Sequence, residues 1–63
     1  MKITWINSHT FRVVDNCVSR TISLSGIKKP LYGFLLETGT DVLNGYKMTV
    51  LWDGNKIVDV NRI

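Results

Sequence analysis

The chain has 63 residues, enough for one domain and no second. Eight Lys and Arg against five Asp and Glu leave a net charge of +3 and a pI near 9.4, a mild basic balance without the dense stripe of a dedicated nucleic-acid binder. Cys17 is the only cysteine, which excludes an intrachain disulfide. With His9 as the only other soft ligand, the usual four-ligand zinc site is excluded as well. A chain this short buries only about 60% of its unfolded surface, so packing or association must supply what staples do not.

Alanine is absent, and the apolar residues are mostly β-branched or aromatic. No window repeats apolar residues at helical spacing over three turns, while turn residues recur at short intervals. An all-β domain over residues 1–63 is expected, a small barrel of five to six short antiparallel strands. In chain order the strands are expected at Lys2–Ile6, Thr10–Val14, Val18–Leu24, Leu31–Glu37, Tyr46–Trp52 and Lys56–Val60. Pro30 lacks an amide hydrogen and suits the start of the fourth strand. Gly33, inside YGFLLE, reads as a bulge at a barrel corner. Thr38 to Gly45 reads as a long loop that folds Val42 and Leu43 back over the barrel end, or as a single helical turn.

The last two strands carry the clearest pattern. Along Tyr46–Trp52 the even positions (Tyr46, Met48, Val50, Trp52) are more apolar than the odd ones, so they should face the core. A three-residue loop at Asp53-Gly54-Asn55, with Asn55 left-handed, would pair Trp52 with Lys56, Val50 with Val58 and Met48 with Val60. Leu51 would then lie opposite Ile57 on the outer face. Cover for that pair would have to come from Met1–Val14, through Ile3, Trp5 or Val13, or from another chain.

The stretch VLWDGN followed by KIVDVNRI resembles the end of an SH3-like small barrel of the Tudor or KOW kind, in which an Asp/Gly/Asn turn joins two strands. KKPLYGFLLETG is similar to the glycine-containing strand of these barrels, and short phage proteins of unassigned function carry a comparable VLW-Asp-Gly hairpin. The resemblance spans roughly Thr21 to Ile63. It implies the barrel fold, an interaction role and a small phage accessory protein. It does not imply the aromatic cage of methyl-reading Tudor domains, because Trp52 precedes Asp53 rather than following it.

Catalytic chemistry is not expected. Cys17 and His9 have no orienting third group, the carboxylates sit in turns, loops or strands, and the five glycines are too dispersed to cradle a phosphate. No cofactor is implied. The expected function is protein binding or self-association through Leu51 and Ile57. The alternative is a single-stranded nucleic-acid surface in which Tyr32 and Tyr46 stack bases while Lys28, Lys29 and Lys47 track phosphates. No segment approaches the roughly 20 apolar residues of a membrane span, and the N-terminal stretch lacks the apolar run of a secretory signal. With a lone thiol, these features lead us to expect a cytoplasmic protein, in the host cell if phage-encoded.

Overall fold

The structure, a computed structural model, describes residues 1–63 and is all-β. Six antiparallel strands follow one another as a meander: β1 (Lys2–Trp5), β2 (Thr10–Asp15), β3 (Val18–Leu31), β4 (Phe34–Asp41), β5 (Lys47–Asp53) and β6 (Lys56–Arg62). Each strand pairs with the next, in the order β1-β2-β3-β4-β5-β6. The single sheet curls into a half-barrel with principal extents of 29 × 22 × 20 Å. There is no helix, and so none long and apolar enough to cross a membrane.

Alternation along the strands sorts the side chains onto two faces. The inner face buries Phe11, Val13, Ile22, Met48, Val50, Trp52 and Ile57, with Ile3, Leu24, Leu35 and Val60 packed against them. The even positions Met48, Val50 and Trp52 point inward as expected, while Tyr46 lies outside the strand and is substantially exposed.

The curl depends on β3. Leu24 pairs with Gly39 and Lys28 with Glu37, so Ser25, Gly26 and Ile27 all oppose the single residue Thr38. An insertion of this kind bends the strand and increases its twist. The Ser25 hydroxyl closes the bulge on the Thr38 carbonyl at 2.5 Å and meets the Thr38 hydroxyl at 2.7 Å. Beside the bend, a methyl group on Gly39 would fall 2.9 Å from Ile22 Cγ2 and 2.9 Å from the Ser23 carbonyl oxygen. Only glycine lets the two strands approach this closely.

Three sequence expectations are corrected here. The third strand does not stop at Leu24 but runs to Leu31, so Pro30 lies inside it, paired with Leu35. Pro30 is tolerated because β2 leaves β3 at Ser23, and beyond that point the far side of β3 is an edge. Gly33 is not a bulge: Tyr32 (φ +47°) and Gly33 (φ +83°) form the two-residue turn between Leu31 and Phe34. The barrel corner expected at Gly33 is the bulge at Ser25–Ile27. Finally, β4 extends to Asp41, and Val42 and Leu43 are 59% and 85% exposed rather than folded over the barrel end.

Asp41 shapes that connection instead. One carboxylate oxygen accepts the Leu43 and Asn44 amides at 3.1 and 3.3 Å, and the other accepts Asn44 Nδ2 at 3.1 Å. The Asn44 side-chain bond, then the two amides and the nearby Arg20 charge, hold the Asp41 carboxyl below its ordinary range against the opposing effect of burial.

Tyr32 is the most exposed aromatic, at 95%, and it occupies a backbone region that costs a side-chain-bearing residue about 1–2 kcal/mol. Asparagine and glycine adopt that region readily. Tyr32→Asn should therefore stabilise the fold by about 1 kcal/mol, raising the thermal midpoint by roughly 4–8 °C. An unchanged or lower midpoint in a calorimetric scan would show that the tyrosine ring stabilises the turn.

Candidate interaction surfaces

The register of the terminal hairpin decides which residues a partner can reach. Asp53 pairs with Lys56, so the turn has two residues rather than three, and its left-handed residue is Gly54 (φ +61°) rather than Asn55. A glycine with positive φ in the first central position is what a type II′ hairpin turn requires. Such a turn alone would bring Asp59 to the inner face against Val50. A bulge prevents this: Trp52 pairs with Ile57 and Leu51 with Asp59, leaving Val58 as the extra residue. Val50 then meets Val60, and the apolar alternation of β6 is restored.

This register separates the two residues expected to form one outer pair. Ile57 is not an outer-face residue. It is 7% exposed and belongs to the core beside Trp52. Ile3 and Trp5 of the N-terminal hairpin share a groove of about 350 Å³ with Trp52 and Ile57, on the inner side where β1 approaches the last hairpin. Leu51 does face outward, half-buried, and its apolar cross-strand neighbour is Leu36. Phe34 and Leu31, paired with each other at the end of the β3–β4 hairpin, extend this patch at 38% and 41% exposure. Ile27 and Lys29 lie against its β3 side. The sequence reading found Leu51 from its parity but missed Leu36, Phe34 and Leu31. Their grouping depends on where the β3–β4 turn falls.

The five residues of the alternative nucleic-acid surface divide into two groups. Lys28, Lys29 and Tyr32 belong to the β3–β4 hairpin end, while Tyr46 and Lys47 precede and open β5 at the opposite end of β4. The eight residues of β4 separate Tyr32 from Tyr46, on the order of 25 Å, whereas Lys29, opposite Leu36, and Lys47, opposite Thr40, stand closer along the same strand. Tyr46 carries the Arg62 guanidinium 3.5 Å from its ring centroid. The Lys28 ammonium sits 4.3 Å from the centroid of the Trp52 ring, so its stem is folded over the inner face. Lys29 and Tyr32 are the members left facing solvent at the hairpin end.

Trp52 itself is engaged on every side. Its Nε1 donates to Glu37 Oε2 at 3.0 Å, and Glu37 is only 3% exposed. Trp5 stacks on it with ring centroids 6.0 Å apart and planes inclined by 24°, and Trp5 in turn packs against Phe11 at 5.2 Å. The indole is therefore a core residue and is not held out for a partner. His9 and Cys17 occupy the turns at opposite ends of β2 and do not form a dyad. No group of three or more His, Cys, Asp or Glu side chains is placed to hold a metal ion.

Comparison with protein-family models, with curated proteins and with solved structures gave no match.

Trp52→Phe removes the donor that Glu37 accepts inside the core, at a cost of about 2–3 kcal/mol. Adding Glu37→Met removes the stranded carboxylate, so the double variant should regain at least about 1 kcal/mol over Trp52→Phe alone. Urea denaturation of the three proteins checks this. A double variant less stable than Trp52→Phe would mean that Glu37 is stabilised by something other than the indole.

Proposed function

We propose that this chain is a non-enzymatic protein-interaction module that docks through the outer face of β3, β4 and β5, centred on Leu36 and Leu51. The observation that carries this reading is the composition of that face. The outer face of a curled antiparallel sheet meets water and is normally polar, as it is where Ser23 pairs with Thr40 and Thr38 with Thr49. Beside this polar area, Leu31, Phe34, Leu36 and Leu51 form a contiguous apolar group with Lys29 at its edge. The core is already closed on the other side by Trp52, Val50 and Ile57, so these leucines are not needed to fill it. A contiguous patch of this kind on a small domain marks a contact site.

An SH3-like barrel that acts as a cytoplasmic accessory protein, as the VLWDG hairpin of phage proteins implies, fits the same proposal. Single-stranded nucleic acid is less well supported as a partner. Tyr32 and Tyr46 lie at opposite ends of β4, Lys28 is folded over Trp52, Arg62 covers Tyr46, and Ile27 and Leu36 lie beside Lys29, so the five residues do not form one stacking surface.

If the patch serves docking, lysine should be tolerated there. Leu51→Lys should remain folded, with circular dichroism unchanged and a stability loss below about 1 kcal/mol. Unfolding of Leu51→Lys would make the residue part of the structural core and remove the basis for a docking face.

A further inference from the structure

The strand registers place four outer-face residues in one row across the sheet. Lys29 on β3 pairs with Leu36 on β4, Leu36 with Leu51 on β5, and Leu51 with Asp59 on β6. Read across the strands, the row is basic, apolar, apolar, acidic. Lys29 and Asp59 are exposed, and the two leucines between them are half-buried. With neighbouring strands about 4.8 Å apart, the row spans roughly 14 Å.

We propose, resting on the docking reading above, that the occupant of this face is a second copy of the same chain. Place a two-fold axis parallel to the strands, between two facing sheets, through the midpoint of Leu36 and Leu51. Rotation about it carries Leu36 onto the Leu51 side of the row and Lys29 onto the Asp59 side. Each Leu36 then faces the second copy's Leu51, and each Lys29 faces the second copy's Asp59. The other in-plane axis, along the row, would set Lys29 against Lys29 and Asp59 against Asp59. The row is therefore self-complementary in one orientation and self-repelling in the other, which is the property an isologous contact needs. Of the two adjoining outer rows, Thr38–Thr49–Asn61 is neutral and hydrogen-bonding, whereas the other continues Leu31–Phe34 with Asp53–Lys56 and sets Phe34 opposite Asp53 in this orientation, so the central row alone carries the complementarity. Aligned sheets cross at about 30°, and rows farther along the strands from the crossing point move out of register, so the central row sets the pairing.

A standard interface buries about 800 Å² per partner, so the patch alone predicts a weak dimer.

Sedimentation equilibrium from about 10 μM to 1 mM protein tests the arrangement. The wild type should dimerise within that range. Lys29→Asp or Asp59→Lys alone replaces two attractive pairs by two repulsive ones and should weaken the dimer at least about tenfold. Lys29→Asp with Asp59→Lys restores opposite charges and should return the dimerisation constant to within about threefold of wild type. All three variants change exposed residues only, and circular dichroism confirms that they fold. A wild type that stays monomeric at 1 mM, or single reversals that leave its dimerisation unchanged, overturns the assignment to a second copy. In either case a folded Leu51→Lys leaves docking to a different protein standing, whereas an unfolded one removes both.

Discussion

A hydrophobic core needs two packed layers, and this chain supplies one sheet and no helix. The sheet must therefore turn its inner face onto itself, and the bulge at Ser25–Ile27 is where it does so. Before the bulge, β3 lies between β2 and β4. After it, β3 pairs with β4 alone and carries Lys28 over the Trp52 ring. The close approach at Gly39 lets the two halves meet, and Trp52 then becomes the point at which separate strands converge. Trp5 reaches it from β1, Glu37 from β4 and Ile57 from β6. Removing the bend would leave Trp52 packed against its own sheet neighbours only. That is too little burial for a domain whose stability is a few kcal/mol.

The strand content and the inward face of β5 were legible in the sequence because they rest on local composition and parity. Met48, Val50 and Trp52 alternate with Lys47, Thr49 and Leu51, and alternation survives whatever the neighbouring strand does. What was not legible depends on single-residue insertions. The two-residue turn at Gly54-Asn55 and the bulge at Val58 each shift the register by one, and together they restore the inner face while moving Ile57 into it. The turn alone sets Ile57 inside but brings Asp59 in with it, and the three-residue loop without a bulge places Ile57 outside. Likewise, a tyrosine with positive φ hides the turn at Tyr32-Gly33, since a turn of that kind is normally announced by Asn-Gly or Asp-Gly. Missing it put Pro30 at a strand start, cut β3 short and dispersed Leu31, Phe34 and Leu36. The docking face was visible only as Leu51.

The same geometry separates stability from interaction. The inner face holds the aromatic and carboxylate contacts around Trp52, and loss of any of them acts on folding. The outer face holds the row from Lys29 to Asp59, in which Asp59 also accepts the Val60 amide at 3.0 Å and Asn61 Nδ2 at 2.7 Å, and its charge pattern is the one the proposed second copy would meet. Edge strands β1 and β6 are a second route for association, as unpaired strands always are. They carry Lys2, Lys56 and Arg62, and two edges of like charge repel one another. The proposed contact uses β6 only through the outward side chain of Asp59 and leaves the backbone edges of both strands unpaired.

Isotope-filtered nuclear Overhauser spectroscopy on an equimolar mixture of ¹³C-labelled and unlabelled chains tests the central claim most directly, because it records only contacts between molecules. The account predicts intermolecular cross-peaks between Leu36 methyls of one chain and Leu51 methyls of the other, with none from Ile57 or Val50. Intermolecular peaks from β1 or β6 residues in place of Leu36 and Leu51, or none at concentrations near 1 mM, would contradict it.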